Sequence, residues 1–296
     1  MSRNKLLIVV PTIALSLLLT SCGAGASTGA DTESCLQRQA LSVDHGLSDD
    51  EQIIYEYMVR CIGDYETSIT MAHTSQEDMA DAYEAVIDDY PEYFWVSEGC
   101  SIYSRWLEEA ENDKTVTITP SISADEGTLK KKRKELETAV NNIIAGVDDE
   151  MSEYDKALYI HDYIIDTTDY DLDSCANILS SETRTTAEDS ETAYGCLVNH
   201  KAVCSGYAAA YQLLLQQMGI RCARISTPEG AGDGHEWNCV WLDDRYMFVD
   251  VTWDDPVSSD GSGGNKTWDY FGFSLEEMLE LESHEPDTAQ LARITG

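Results

Sequence analysis

The stretch Ala202-Val203-Cys204-Ser205-Gly206-Tyr207 decides the fold. It stands before an apolar, helically spaced segment, which predicts a helix over residues 204–218 with Gly219 just past its end. Cys204 then lies in the first turn, where unpaired N–H groups and the helix dipole lower the pKa of a thiol. Gly206 lacks a side chain, which would let a substrate backbone approach closely. Cys204 is therefore a candidate nucleophile.

Strands are predicted after this helix over residues 220–226, 236–242 and 245–251. If Asp243 and Asp244 form a two-residue hairpin turn, His235 and Asp250 become diagonal neighbours on one face of the sheet. A carboxylate in that position holds an imidazole in one tautomer. A three-residue turn would reverse the parity and separate the two side chains. The pattern thus predicts that Cys204, His235 and Asp250 act together.

Three segments resemble the motifs of the transglutaminase-like superfamily. They are the nucleophile segment around Leu197–Ala208, the histidine motif His235-Glu236-Trp237-Asn238 and the aspartate motif Tyr246–Pro256. The motifs occur in the family's order, and the resemblance covers roughly residues 150–275. It implies an α+β fold of the papain-like, transglutaminase-like type, in which a helix-borne cysteine packs on an antiparallel sheet.

The resemblance also implies the roles of the site residues. Cys204 is the nucleophile, His235 the base and Asp250 the carboxylate that orients the imidazole. The implied reaction is acyl transfer, in which the thiolate attacks an amide carbonyl and an amine or water resolves the thioester. The oxyanion needs donors, for which the Cys204 N–H and the ring hydroxyl of Tyr170 are the candidates. His200 departs from the family, which usually has Gly there; it is either a loop residue or part of the cleft wall.

The same motifs also fit a second class of function. A non-catalytic module could retain the fold to hold peptides or cell-wall peptides. His161, on a predicted helix, is expected to pack and hydrogen-bond rather than to take part in catalysis.

No cofactor and no metal ion are expected. A zinc set can be drawn from residues whose spacing fits no common zinc site: Cys204, Cys222, His235 and Cys239. Two acidic pairs, Asp254-Asp255 and Asp171/Asp173, lack the Gly and Glu of the twelve-residue calcium loop. These acids are therefore expected to be solvated.

The charge of the chain excludes one class of partner. There are 55 Asp and Glu against 19 Lys and Arg, so the formal net charge is −36. Such a surface repels phosphate, which argues against nucleic acid. Hydrophobic residues make up 43% of the chain, which predicts a packed core rather than a disordered acidic chain. The expected partner is a peptide or protein substrate, with cell-wall peptide as one candidate; the acidity fits a cationic substrate or solubility alone.

The first 22 residues predict export and lipid anchoring. Arg3 and Lys5 precede an apolar run over residues 6–19 that is too short for a comfortable membrane span. The run ends in Leu19-Thr20-Ser21-Cys22, which resembles the lipobox of bacterial lipoproteins, where the Cys is lipidated. The alternative is an ordinary signal peptide cleaved nearby. Lipidation of Cys22 would hold the protein on the extracytoplasmic face of the cell membrane through the lipid alone.

The expected organisation has four parts. A signal peptide (1–21) and a flexible tether (22–44) precede a helical N-terminal region with short strands (45–148) and a transglutaminase-like domain (149–296). Two helices are predicted to begin at capping boxes, one at Ser48 and one at Thr74. A basic helix with a solvated charged face is predicted over residues 125–145. Residues 169–190 are expected to form a loop. Seven of the nine cysteines remain besides Cys22 and Cys204; this odd number leaves at least one thiol unpaired.

Overall fold

The computed structural model describes residues 45–97, 99–106, 114–180, 186–228, 234–257, 264–281 and 283–295. The predicted signal peptide and tether, with Cys22, lie outside these residues. From His45 onward the described residues belong to one compact unit. Within this part of the chain, no helix combines the length and the apolar character that crossing a bilayer requires.

The chain alternates helices and short strands before residue 180 and becomes rich in strands after residue 220. Up to residue 144 the elements are α1 (Asp49–Gly63), β1 (Ile69–Ala72), α2 (Gln76–Asp89), β2 (Cys100–Trp106), β3 (Lys114–Pro120) and α3 (Glu126–Ile144). The next are α4 (Glu153–Thr167), β4 (Asp169–Tyr170), α5 (Leu172–Ser180), β5 (Lys201–Ala202), α6 (Cys204–Gln217), β6 (Cys222–Ser226), β7 (Glu236–Leu242) and β8 (Arg245–Val249). The last are β9 (Phe271–Phe273), α7 (Leu275–Glu280) and α8 (Thr288–Thr295).

The strands form three sheets. An antiparallel sheet has the order β1-β3-β2, a small parallel pair joins β4 to β5, and an antiparallel sheet has the order β6-β7-β8-β9. The two larger sheets are wholly antiparallel and pack with helices, and the predicted α+β class is confirmed.

One of the two predicted capping boxes is present, and the other is replaced by a box that begins one residue later. Ser48 caps α1 and closes its box with Glu51 as predicted. The second box begins at Ser75 rather than Thr74, because the Asp78 N–H donates to the Ser75 hydroxyl at 2.9 Å. The Asp78 carboxylate accepts from the Ser75 N–H and from the Thr74 hydroxyl, so one acid uses both hydroxyl residues.

One hydrophobic core spans the predicted boundary near residue 148. It includes Leu136 and Val140 of α3 together with Tyr211 and Leu214 of α6, all buried. The two regions therefore share the packing that stabilises them. The division into two regions at that point stays a prediction.

The basic face of α3 is only partly solvated, contrary to expectation. The Lys132 ammonium lies 2.6 Å from the Asp189 carboxylate and 4.9 Å from the ring centre of Tyr194. The Arg133 guanidinium lies over the ring of Trp95 at 5.8 Å. Cation–π contact and ion pairing hold both side chains against the protein.

The segment expected to be a loop over 169–190 contains β4 and α5. The Asp171 N–H donates to the Ala202 carbonyl at 2.8 Å, and the Asp171 carboxylate accepts from the Ser174 N–H at 3.1 Å. A stretch rich in Ser, Thr and Asp reads as a loop, but here an Asp caps the helix that follows it.

The large sheet carries helices on both faces, as its alternating pattern requires. Val240 and Val249 face the main core with α6, while Trp237 and Phe248 pack with Met278 of α7 in a second cluster. The turn between β7 and β8 has two residues, Asp243 and Asp244, with φ of 50° and 61°. This is the left-handed turn that two-residue hairpins favour, and the predicted register is confirmed.

Candidate active site

The short parallel pair of strands delivers the chain to Cys204. Tyr170 of β4 lies opposite Ala202 of β5, and Val203 then adopts an extended conformation as the N-cap of α6. Cys204 is the first residue of that helix, as predicted, and its side chain is partly exposed. Its thiol is free, and no disulfide links the seven cysteines that the structure describes. The sulfur is therefore available at a helix N-terminus.

Gly206 has a different use from the one expected. A Cβ at this position would lie 2.3 Å from the Ser190 carbonyl oxygen and 2.9 Å from the Ala202 Cβ. The same carbonyl accepts a hydrogen bond from the Val203 N–H at 2.9 Å. The protein's own backbone, not a substrate, makes the close approach that a glycine permits.

His235 and Asp250 meet as the hairpin register predicts. His235 Nε2 lies 2.5 Å from Asp250 Oδ2, and the Asp250 side chain is almost fully buried. The Trp253 N–H donates to the other carboxylate oxygen at 3.0 Å. Cys204 lies close enough to the His235 ring to raise its pKa, so the structure brings all three predicted residues together.

The two partners keep each other charged. Burial lowers the pKa of His235, but the charge and hydrogen bond of Asp250, with those of Cys204, outweigh it and raise that pKa to about 10. Burial raises the pKa of Asp250, but His235 and hydrogen bonding lower it to about 2. At neutral pH the ring is therefore an imidazolium that can stabilise a neighbouring thiolate.

This ion pair predicts a pH window of stability. The pKa of His235 is raised from 6.5, so its stabilisation is fully present below about 6.5 and is lost as the pH rises through about 10. The pKa of Asp250 is lowered from 3.8, so its share is present above that value and lost as the pH falls through about 2. We expect His235→Gln to reduce the free energy of unfolding most at about pH 5 and very little at about pH 10.5. Urea denaturation of both proteins at the two pH values measures this, and a constant difference would contradict it.

A second histidine, which the sequence analysis missed, binds the same carboxylate. His284 Nε2 lies 2.8 Å from Asp250 Oδ2, and the side chain is fully buried. Its ring is enclosed by aromatic rings whose centres lie 4.8–5.8 Å away: Trp237, Trp253, Tyr270 and Phe273. No spacing in the sequence marks His284, because it follows strand and helix positions that were not predicted. The aromatic residues upstream of it, among them Tyr270, Phe271 and Phe273, are a signal that could have indicated a packed segment there.

His235, Asp250 and His284 have the donor atoms of a metal site but not its spacing. Their ligand atoms all lie within 4.8 Å of one another. The contacts of 2.5 and 2.8 Å are hydrogen-bond distances, shorter than the separation of two atoms that each bind a metal at about 2.0–2.2 Å in tetrahedral geometry. Cys222 and Cys239 lie in different clusters on opposite faces of the sheet, so the zinc set drawn from the sequence does not surround one point.

Tyr170 lies beside the candidate nucleophile. Burial raises the pKa of its hydroxyl, and a hydrogen bond to Cys175 and the charge of Cys204 raise it further. The hydroxyl donates to the Cys175 sulfur at 3.5 Å. Tyr170 is thus a neutral donor near Cys204, and its role towards an oxyanion stays a prediction.

The expectation of solvated acids is wrong for Asp254. Its side chain is fully buried, lies 3.0 Å from His161 Nε2 and accepts the Thr267 hydroxyl at 2.6 Å. His161 is itself fully buried, in line with the packing role predicted for it. The neighbouring Asp255 accepts from the Tyr207 hydroxyl at 2.8 Å. These contacts tie the segment after Asp250 to α4 and α6.

The backbone conformation at His200 is one that favours glycine, the residue expected there from the resemblance. It is exposed and has φ 56° and ψ 33°, the left-handed conformation that glycine adopts without a steric penalty. Glycine is the residue that this backbone position favours, so His200 is a strained loop residue.

The strain predicts the effect of restoring glycine. We expect His200→Gly to raise the free energy of unfolding by up to about 1 kcal/mol, because relief of the left-handed conformation outweighs the added freedom of the unfolded chain. The matched control is Lys201→Gly, at an exposed and extended neighbour, where a loss of about 0.5–1 kcal/mol is expected. Urea denaturation compares both with wild type. Equal destabilisation by the two changes would contradict the prediction.

Comparison with known proteins gives one family match. The sequence profile described as the transglutaminase-like superfamily matches residues 138–251, a segment that includes Cys204, His235 and Asp250. The mouse and human proteins named kyphoscoliosis peptidase are each 29% identical to this chain over 103 residues, which is 31% of this chain and 16% of each of theirs. The chain thus spans about a sixth of the length of these curated relatives.

Similar solved structures resemble parts of the chain. One described as a TGase is 13% identical and has a TM-score of 0.35, covering 58% of this chain and 48% of that one. A Cytophaga hutchinsonii protein provisionally described as a cysteine protease is 12% identical with a TM-score of 0.28, covering 52% of this chain and 64% of that one.

Proposed function

Because residues 138–251 belong to the transglutaminase-like superfamily, we propose that this protein transfers or hydrolyses acyl groups at amide bonds of peptides or proteins. The similarities support a general function of the cysteine protease or transglutaminase type. One observation carries the finer proposal: His235 bridges a free helix-start cysteine, Cys204, and a buried carboxylate, Asp250.

The first half of the reaction forms a thioester. The reacting form of Cys204 is its thiolate, and the His235 imidazolium beside it is the group that would stabilise that form. The sulfur adds to an amide carbonyl carbon, and the carbonyl electrons move onto oxygen. His235 gives its proton to the leaving amine as the C–N bond breaks. The backbone N–H of Cys204 and the hydroxyl of Tyr170 are the proposed donors to the oxyanion.

The second half releases the acyl group. Neutral His235 removes a proton from water or from an amine, which attacks the thioester and frees Cys204. Asp250 keeps the ring oriented through both halves, and His284 holds the same oxygen of the Asp250 carboxylate. Hydrolysis and crosslinking then differ only in which acceptor reaches the thioester.

The cellular setting is proposed from the sequence alone. A lipid on Cys22 would tether the domain to the extracytoplasmic face of the membrane, where peptides and cell-wall peptides are accessible. Metabolic labelling with a palmitate analogue tests this, because Cys22→Ala would lose the label if Cys22 carries the lipid.

Alkylation tests whether Cys204 is activated. We expect iodoacetamide at neutral pH to alkylate Cys204 at least about tenfold faster than a free cysteine, because thiolate is the reacting form. The rate should fall in His235→Ala, and the label should vanish from this position in Cys204→Ser. Cys175, which is partly exposed and also free, is the internal control in the same digest. Labelling of Cys204 no faster than Cys175 would instead favour the non-catalytic binding module.

Product masses then identify the reaction. Incubation of a peptide library with and without a primary amine gives cleavage, deamidation or amine incorporation, each with its own mass change. Loss of all three in Cys204→Ser ties the product to this site.

A further inference from the structure

A cavity of about 300 Å³ lies beside the first turns of α6. Ser205 and Glu236, which directly follow Cys204 and His235 in the chain, are among its lining residues. Its opposite wall comes from residues 87–99, outside the segment that the superfamily profile matches. The cavity therefore lies next to the residues that follow Cys204 and His235 and also borders a part of the chain that the family match does not cover.

The opposite wall is aromatic and held in place. Tyr90 and Phe94 line the cavity. The Tyr90 ring stacks on Tyr93 with centres 5.1 Å apart, and the Phe94 ring stacks on Tyr194 at 5.2 Å. Rings fixed by such packing lose little freedom when a ligand binds, so this wall is preorganised.

The helix side of the cavity is lined by small residues. Ser205 and Ala209 are one helical turn apart and lie on one face of α6. Small side chains facing large rings leave room for a side chain that comes from outside the protein. The space is at the correct end of α6 to receive a residue next to the bond that Cys204 attacks.

Among the described residues that line the cavity, the one basic residue, Arg224, is already engaged within the protein. The Arg224 guanidinium lies 3.1 Å from the Glu236 carboxylate and donates to the Gln212 side chain at 3.1 Å and to the Ile87 carbonyl at 2.9 Å. Arg224 is thus engaged and does not select for a substrate carboxylate. With Glu191 also in the lining, two acids oppose one base, a net of −1 that disfavours an acidic side chain.

We propose that this cavity is a specificity pocket that takes a large apolar or aromatic side chain of the substrate, adjacent to the amide attacked by Cys204. The proposal rests on the proposed function and adds the class of peptide that the site selects. Aromatic and aliphatic residues share the lining with polar groups, which would orient the backbone of what binds.

The test fills the pocket from its rim. Ala187 lines the cavity and is half-buried, so Ala187→Trp would occupy the space without entering the helix core. Peptides carry Phe, Ala, Lys or Asp on one side of the scissile amide and then on the other. Wild type should prefer Phe to Ala by at least about tenfold in kcat/KM, and Ala187→Trp should remove most of that preference. Ala145→Trp, at the exposed end of α3, is the matched control and should retain it.

A binding measurement separates this proposal from the proposed function. Fluorescence anisotropy with Cys204→Ala follows labelled Phe and Ala peptides in the absence of any chemistry. Tighter binding of the Phe peptide that is lost in Cys204→Ala/Ala187→Trp supports the pocket even if no peptide is ever cleaved. Overturning results are equal kcat/KM for Phe and Ala, a preference for Lys or Asp, an unchanged preference in Ala187→Trp, or, without cleavage, no difference in binding.

Discussion

Asp250→Asn is expected to lower kcat/KM by roughly 10³- to 10⁴-fold, the range known for the orienting carboxylate of a catalytic triad. One oxygen of the Asp250 carboxylate accepts hydrogen bonds from the rings of His235 and His284, and the other accepts one from the Trp253 N–H. An amide has only one oxygen. In one orientation its NH₂ group faces the two imidazoles, and in the other it faces the Trp253 N–H. In the first orientation both ring nitrogens must be unprotonated to accept from the NH₂ group, and in the second the NH₂ group opposes the Trp253 N–H donor; in both, the charge that holds the His235 imidazolium is lost.

Stopped assays with the best substrate of the peptide library measure this loss, and the rate of iodoacetamide labelling should fall with it. The matched control is Asp254→Asn, which changes a fully buried carboxylate bonded to another histidine, His161. It should cost a similar free energy of unfolding, about 1–3 kcal/mol, with far less effect on the rate. Activity of Asp250→Asn within tenfold of wild type would show that Asp250 does not orient His235.

Gly206→Ala is expected to reduce the free energy of unfolding by about 2–4 kcal/mol. The added methyl group would lie 2.3 Å from the Ser190 carbonyl oxygen, well inside van der Waals contact. That carbonyl belongs to the backbone and accepts the Val203 N–H, so moving it away breaks the bond that precedes α6. Because Cys204 lies on the same turn, the rate of Cys204 alkylation should fall as well.

Urea denaturation compares this variant with Gly127→Ala, another helical glycine. Gly127 is exposed in the first turn of α3, and its nearest heavy-atom neighbour is the end of the Asp125 side chain at 3.2 Å. Ala is the better helix former, so this change should be neutral or stabilising by up to about 1 kcal/mol. Equal stability of Gly206→Ala and wild type would mean that the Ser190 carbonyl moves aside easily, and the close approach at Gly206 would then not constrain the start of α6.

Periodicity and turn chemistry predicted the parts of the fold that are governed by neighbours in sequence. α6 follows from its apolar spacing and from Gly219, whose φ is 80°. The β7–β8 register follows from the two-residue turn at Asp243 and Asp244, because the length of a hairpin turn fixes which residues face each other. This register places His235 and Asp250 close together. Local rules suffice here because the deciding interactions lie within a few residues of one another.

Elements that depend on distant partners escaped prediction. β4 forms because the Asp169 N–H donates a hydrogen bond to the carbonyl of His200, which lies thirty-one positions later in the chain. The position of His284 depends on its hydrogen bond to Asp250 and on the four aromatic rings packed around it, all of which are tertiary contacts. Gly206 was given the wrong reason because the sequence shows the missing side chain but not the carbonyl that occupies its space. Tertiary contacts of this kind have no local period to reveal them.

The burial of Asp250 depends on chain that lies past the end of the family match at residue 251. Trp253, Tyr270 and His284 supply its amide contact, its backbone partner and its second imidazole. A fragment cut at residue 251 would keep Cys204, His235 and Asp250 and lose the surroundings that hold the carboxylate ionised and dry. The segment that matches the family profile is therefore shorter than the segment needed for a working site. If the matched segment alone were moved into another protein, it would bring Cys204, His235 and Asp250 without the contacts that keep Asp250 buried and charged.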